Sequence, residues 1–541
     1  MVTRVKPQAG GAPARKKSRR ATPAAVRPQA APANEHAASH TASELAHEAQ
    51  KAVTDAVVGV LHLHGERMSK VDTAWLRMDS PSNLMMIVGV LVIKPAISYA
   101  ALRERLASRM RKYPRFCQRV EEDAVGATWV NDAHFDMRHH LVVETLHYTT
   151  KGQEQTALQD RLSELTMQAL DRAHPLWQFH LVEHYQGGSA LLVRIHHCIA
   201  DGIALIAVLQ SLMDDGVAPP EPAHHALHHQ GRVGAEDWVA DAMIKPFTQW
   251  TVKAIDAAGE GVARYFDWWI HPQKGVEESL QNSAHVAQLA AHAVGDSAAL
   301  LLMPDDSPTR LKGIPGQTKR VAWCKPIALA EVKSVGKALH CSVNDVLLSC
   351  VAGAIGDYLK GHGDDVTDKE IRAMIPVNLR PLEKAYQLGN HFGLAPLVLP
   401  IGIDNPIERV YEVRRRMQGL KGSLQPLLAF GLLGVAGWMA KPLQDAMLSL
   451  FSKKTTAVMT NVPGPREKIK LCGCTVEENL VWVPQSGTVG LGISILSYAG
   501  GVQFGVVADA TLCPDPQKII DQFAPEFAKL STVTLMLPWG E

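Results

Sequence analysis

Apolar positions along this chain repeat with two different periods, and the switches between them outline the secondary structure. The run M-M-I-V-G-V-L-V-I at 85–93 is continuously apolar and rich in β-branched residues, which predicts a buried strand. Tyr99–Lys112 has the 3.6-residue spacing of an amphipathic helix. Leu191–Ile195, in A-L-L-V-R-I, predicts a second strand. After Gly202 the period changes again: Ile203, Leu205, Ile206, Val208, Leu209 and Leu212 suit a helix packed on that strand. The segment H-H-C-I-A-D-G, residues 196–202, therefore falls on a strand-to-helix turn, where two rigid elements can hold a side chain in place. Further on, Val343–Tyr358 predicts a helix and A-P-L-V-L-P at 395–400 a short strand. There is no internal repeat, and the alternation predicts an α/β (α+β) fold with layers in both halves.

The same pattern sets provisional boundaries. Thr41 and Glu44 have capping-box spacing, and Val53, Val57, Val60 and Leu61 follow at helical intervals. Residues 41–66 are thus expected to form an amphipathic helix, packed on the body or lying on a membrane. Residues 67–213 are expected to form a first domain. Residues 214–311 read as a linker: a Pro-, His- and Gly-rich break, then helices in which Trp238, Trp250, Trp268 and Trp269 stand beside Lys245, Lys253, Arg264 and Lys274. Aromatic residues beside basic ones suit a membrane interface, and ordinary helix packing is the alternative. Residues 312–541 are expected to form a second domain. No run of eighteen uncharged apolar residues occurs, so no membrane span is expected. Leu427–Ala440, closed by Lys441 and Pro442, suits a buried or interfacial helix.

Composition adds three points. With 46% hydrophobic and 20% charged residues the chain is globular in character, and a formal net charge of +1 gives no bias toward nucleic acid. Arg4, Lys6, Arg15, Lys16, Lys17, Arg19, Arg20 and Arg27 precede the first acid, Glu35. Residues 1–40 are therefore expected to be a disordered basic tail, either simply solvated or an electrostatic tether to anionic lipid or another polyanion. It lacks the apolar core of a secretory signal. The eight cysteines are scattered without a C-x-x-C, which argues against disulfide frameworks and zinc sites and for a reducing, cytoplasmic setting.

Several common catalytic signatures are missing: no G-x-S-x-G elbow, no Walker loop, no G-x-G-x-x-G and no H-E-x-x-H. His224, His225, His228 and His229 have i, i+4 spacing but lie in the Pro-flanked linker, which favours solvation over metal binding. His139 and His140 are adjacent but no D-G follows at the right distance. His196–His197 differ, because they follow an apolar strand and Asp201-Gly202 close the turn. A neutral imidazole there can take a proton near pH 7. Asp201 can pin the turn through an ion pair or backbone hydrogen bonds, and Gly202 can adopt a conformation other residues resist or admit a close neighbour.

H-H-x-x-x-D-G resembles the signature of CoA-dependent acyltransferases and peptide-synthetase condensation domains. Other segments narrow the resemblance to the bacterial bifunctional wax ester synthase/acyl-CoA:diacylglycerol acyltransferase family, over roughly residues 67–537. M-S-K-V-D-T-A-W-L at 68–76 looks like that family's opening. Pro175-Leu176-Trp177 matches its P-L-W motif and Asn344-Asp345 its N-D motif. I-P-V-N-L-R-P at 375–381, L-G-N-H-F-G at 388–393 and N-V-P-G-P at 461–465 resemble later segments. Asn378 stands where relatives often have Ser.

The resemblance implies two chloramphenicol-acetyltransferase-like domains with a central tunnel, joined by the helical linker. It implies transfer of a long-chain acyl group from acyl-CoA to diacylglycerol or a fatty alcohol. His197 would be the general base, attack on the thioester would be direct, and no cofactor or metal would be needed, acyl-CoA being a substrate. His196 and Asp201 would support the turn, Asp201 with an arginine from elsewhere. Asn344 would orient a substrate or its oxyanion, and Trp177 would line the acceptor channel or simply pack. Asp345 and Gly464 would be structural. The expected setting is cytoplasmic, at a membrane or lipid-inclusion surface. A condensation-type acyltransferase and a non-catalytic, lipid-granule-coating protein are the competing readings.

Overall fold

In the computed structural model of the chain, the described residues are 65–536, apart from 124–125, 149, 151, 218–302, 381–386, 421–424, 438 and 440. The basic tail, almost all of the predicted 41–66 helix and the Trp-rich linker segment lie outside them.

The first half begins with β1 (Glu66–Arg67), α1 (Lys70–Arg77), β2 (Met86–Lys94) and α2 (Tyr99–Met110). It continues with β3 (Gln118–Asp123), β4 (Gly126–Asn131), α3 (Met137–His140), β5 (Leu141–Thr145) and α4 (Glu154–Thr166). It closes with β6 (Trp177–Tyr185), β7 (Gly188–His196) and α5 (Gly202–Leu212). Strands β2 and β7 are the predicted apolar runs. They are buried along nearly their whole length because they are central in a six-stranded sheet, order β13-β14-β2-β7-β6-β5, where both faces are covered.

The second half contains β8 (Lys319–Trp323), β9 (Ile327–Ala328), α6 (Leu329–Ala338), α7 (Val343–Gly361), β10 (Ile371–Asn378) and β11 (Phe392–Leu399). Then come α8 (Pro406–Leu420), α9 (Gln425–Ala436), α10 (Lys441–Ser452), β12 (Ala457–Pro463), β13 (Lys470–Leu471) and β14 (Cys474–Trp482). The chain ends with β15 (Leu491–Tyr498), β16 (Gly501–Asp509) and α11 (Gln517–Met536). Its own sheet runs β11-β10-β12-β15-β16-β8, with β9 on β16, and the mostly buried α7 packs over it together with α11.

Two features depart from the boundaries expected from sequence. The hairpin β13–β14 belongs to the second half in sequence but joins the first half's sheet, with β14 antiparallel to β2 from Thr475↔Lys94 to Trp482↔Val88. An exchanged strand has no sequence signal, because its apolar alternation is the same whichever sheet it joins. Residues 303–311 were expected in the linker but are packed on the second half. Leu311 is in its core, and Asp306 accepts hydrogen bonds from the Arg372 amide (2.8 Å) and the Thr456 hydroxyl (2.6 Å).

The apolar segment 427–440 falls largely on α9, whose residues Ala429, Leu432 and Leu433 face a cavity rather than bulk solvent. Among the described residues no single helix is long and apolar enough to cross a membrane.

Candidate active site

H-H-C-I-A-D-G does lie on a strand-to-helix turn, between β7 and α5. The first two residues are still tied to the sheet. The His196 amide donates to the Leu176 carbonyl (2.9 Å) and the His197 amide to the Met85 carbonyl (2.7 Å). At the other end Asp201 is the N-cap of α5, its Oδ1 accepting from the Ala204 amide at 3.0 Å. Such a cap satisfies a helix N–H that would otherwise be orphaned.

Both histidines are buried, yet their surroundings differ. His196 turns toward Asp79: its Nε2 lies 3.2 Å from Asp79 Oδ2, and the Cys198 amide donates to its Nδ1 at 3.1 Å. Burial opposes a charged ring here, but Cys198 and Asp79 outweigh it and raise its affinity for a proton. The amide aimed at Nδ1 leaves Nε2 to carry the proton toward Asp79, so both ring nitrogens are occupied in holding the turn.

His197 faces a cavity of about 290 Å³. Its ring stacks on Trp75, with centroids 4.3 Å apart and planes at 16°, and Phe392 closes a second side at 5.4 Å. This apolar enclosure makes the imidazolium costly: burial is the dominant effect, only partly offset by the Asp201 charge, and it pulls the pKa from 6.5 down to about 4. The ring is therefore neutral and able to accept a proton at pH 7.

The cavity is walled by both halves. Ile87, Gly89 and Leu91 come from β2, and Ile203, Ile206 and Leu209 from α5. From the second half come Leu432 and Leu433 of α9, Leu448 and Phe451 of α10, and Thr460 and Asn461 of β12. A predominantly apolar cavity with one neutral base in its wall is suited to an aliphatic chain carrying a reactive polar end.

Asp201 holds the halves together at this point. Its Oδ2 accepts from Arg380 Nη2 (3.0 Å) and from the His391 amide (3.0 Å). Arg380 is thus the arginine that the sequence required but did not identify. The same Nη2 reaches the Gly389 carbonyl (2.6 Å), and Asn378 brackets Arg380 by accepting from its amide (3.0 Å) and donating to its carbonyl (2.9 Å). Asn378 thus helps hold Arg380 in place. Gly389 sits at φ +110°, where a side chain would be strained and would press on Arg115.

Other predicted site residues are placed elsewhere. Pro175, Leu176 and Trp177 do not line this cavity. Trp177 is buried in the first half's core, donates Nε1–H to the Phe116 carbonyl (2.9 Å) and stacks on His140 at 4.2 Å. Of the two roles expected for Trp177, packing is the one observed, and the Leu176 carbonyl accepts from the His196 amide. Trp177→Ala is expected to cost about 3–5 kcal/mol of stability, with turnover per folded molecule reduced far less; urea unfolding beside an activity titration checks this.

Asn344 is exposed at the start of α7 and reaches the cavity only through Asn461, whose Nδ2 donates to its Oδ1 at 2.8 Å. Asp345 forms a capping box with Ser342, a structural role. Gly464 is also structural, since a Cβ there would meet the Ser497 carbonyl at 2.4 Å. Gly202 lines the cavity, but neither reason expected for it holds: its φ lies outside the left-handed region, and a Cβ would meet nothing within 4 Å. His139 and His140 form part of α3. The four linker histidines and four linker tryptophans lie outside the described residues.

Asp72, Trp75, Asp79, Arg380, Asn390 and Phe392 were given no role from sequence. All but Asp79 lie inside segments that carried the family resemblance. The signal was present in the motif, but the role of each residue depends on a partner distant in the chain.

Comparison with known proteins bears on the family and the fold. The family model described as the wax ester synthase/diacylglycerol acyltransferase catalytic domain matches residues 68–347, and the WS/DGAT C-terminal domain matches residues 388–531. A probable diacylglycerol O-acyltransferase of Mycobacterium tuberculosis is 24% identical over 478 residues, covering 86% of this chain and 96% of the relative. A putative diacylglycerol O-acyltransferase of Mycobacterium bovis matches to the same extent. Among solved structures, the wax ester synthase/diacylglycerol acyltransferase from Marinobacter aquaeolei superimposes with a TM-score of 0.58 at 19% identity, covering 87% of this chain and 99% of that one. The first condensation domain of the calcium-dependent antibiotic synthetase superimposes with a TM-score of 0.52 at 13% identity, over 87% and 96%.

Proposed function

Because the chain belongs to the wax ester synthase/diacylglycerol acyltransferase family, and is an acyltransferase, we propose that it moves a long-chain acyl group from acyl-CoA to the hydroxyl of diacylglycerol or a fatty alcohol, with His197 as general base. The observation that carries this reading is a neutral, enclosed imidazole in the wall of a large apolar cavity shared by both halves. The cavity would be part of a tunnel in which thioester and alcohol meet.

The chemistry follows from the residues. His197 accepts the acceptor's hydroxyl proton while the oxygen attacks the thioester carbonyl. The tetrahedral intermediate collapses, and the imidazolium returns the proton to the CoA sulfur. No protein nucleophile is needed. Enclosure by Trp75 and Phe392 keeps water, a competing acceptor, away from the base. On this reading the enzyme works in the cytoplasm at a membrane or lipid-inclusion surface. The basic residues before Glu35 and the Trp-rich segment are the features that support such a setting.

The family description and the M. tuberculosis and M. bovis relatives named as diacylglycerol acyltransferases favour a lipid alcohol as acceptor. The decisive assay offers palmitoyl-CoA with either diacylglycerol or hexadecanol and follows free CoA and the ester formed. CoA release with ester formation is expected; binding to lipid without esterification would favour a coating protein. The pH profile is a second check. The base is active when neutral, and its lowered pKa keeps it neutral as pH falls through 6.5, so the acid limb of kcat/KM should lie well below 6, toward 4. An acid limb at 6.5, the value of an exposed histidine, would contradict an enclosed base.

A further inference from the structure

Asn390 is almost wholly buried (2% exposed) against the backbone of the turn that carries His197. Its Nδ2 donates to the His197 carbonyl (2.8 Å) and to Asp72 Oδ1 (2.8 Å), and its amide donates to the same Oδ1 (3.0 Å). Asp72 is itself buried and anchored through Oδ2 to Arg115 (3.1 Å), which also donates to the Ile199 carbonyl (2.9 Å). The orientation of the Asn390 amide is thereby settled: both groups on its nitrogen side are acceptors, so the oxygen cannot take that place.

The oxygen is left over. Asn390 Oδ1 is buried without a hydrogen bond of ordinary geometry among the described residues, and so is His197 Nδ1. Two such atoms on residues already joined side chain to backbone are complementary if the ring's proton is on Nδ1.

Taking His197 as the base, we propose that Asn390 is its positioning residue: Asn390 Oδ1 receives Nδ1–H, fixing the tautomer whose Nε2 lone pair is left for the acceptor's hydroxyl proton. Asp72, on the far side of the amide, polarises Asn390 without placing a second charge against the ring. When Nε2 takes the hydroxyl proton, the imidazolium keeps Nδ1–H on a prearranged neutral acceptor. Burial lowers the ring's affinity for a proton; the Asp201 charge, the ring's own backbone carbonyl and the Asn390 side chain act in the opposite direction, and the Asn390→Ala variant separates the last two.

The test is nitrogen NMR of protein labelled with ¹⁵N-histidine, the His197 signals assigned by their loss in His197→Ala. The full chain at neutral pH should show His197 as the Nδ1–H tautomer. In Asn390→Ala the tautomers should redistribute and kcat should fall about 10–100-fold, the scale of a hydrogen bond to a charged group, with KM for acyl-CoA little changed. A wild-type His197 protonated on Nε2 overturns the proposal, and that measurement stands even if the variant does not fold. So does a drop in kcat with the tautomer unchanged, which would mark Asn390 as merely structural. If His197→Ala retains turnover, the reading of His197 itself fails. If His197→Ala is inactive while Asn390→Ala keeps both kcat and tautomer, only the role of Asn390 is lost.

Discussion

His197→Ala should lower acyl transfer by about 10²–10⁴-fold and leave the fold intact. The ring's contacts are with Trp75, Phe392 and the cavity. The bonds that shape the turn run through the His197 backbone: its amide to the Met85 carbonyl and its carbonyl to Asn390. Alanine keeps both. Truncation enlarges a cavity that already exists, so the stability change should be small beside the kinetic one. The loss should appear in kcat, because the proton is transferred in the chemical step and not on substrate binding. Steady-state kinetics with a thermal melt check this, and turnover within a few-fold of wild type would remove His197 from the mechanism. His196→Ala should behave differently, costing stability as well as rate, because His196 links Asp79 to the Cys198 amide.

Asp201→Ala should abolish most turnover and also destabilise the protein by several kcal/mol. The carboxylate serves three partners: the Ala204 amide as a helix cap, Arg380 as a buried ion pair, and the His391 amide. Removing one partner of a buried pair typically costs about 3–5 kcal/mol, because the other charge stays buried and unanswered. The lost cap adds about 1 kcal/mol. Asp201 lies in the first half and Arg380 and His391 in the second, so their separation should also loosen the seam beside His197. Asp201→Asn retains the cap and gives up the ion pair, and it should fall between wild type and Asp201→Ala. Urea unfolding and kinetics on the two variants give the ordering. A purely kinetic defect, with unfolding unchanged, would show that Asp201 does not hold the halves together.

Much of the fold was legible in the sequence for a local reason. Strands β2 and β7 and helices α2, α5 and α7 are encoded by the spacing of their own apolar residues, and the predicted ends fall within a few residues of those observed. The strand-to-helix turn was legible because the change of period occurs at Gly202. What stayed open were roles that depend on what lies opposite a residue. Trp177, in a recognisable motif, belongs to the core, since Phe116 and His140 surround it. Asn344 meets the cavity only through Asn461.

The sequence alone therefore determined the layered fold and the turn that carries His197, both properties of neighbouring residues. The tertiary structure decided what the turn is fastened to. Asp201 meets Arg380 across 179 positions, the His197 carbonyl meets Asn390 across 193, and Asn390 meets Asp72 across 318. Hydrophobic periodicity specifies which face of an element is buried, but not which polar group waits on the other side. Only the packing of the two halves, with β14 carried across to β2, brings those partners within hydrogen-bonding distance of the turn.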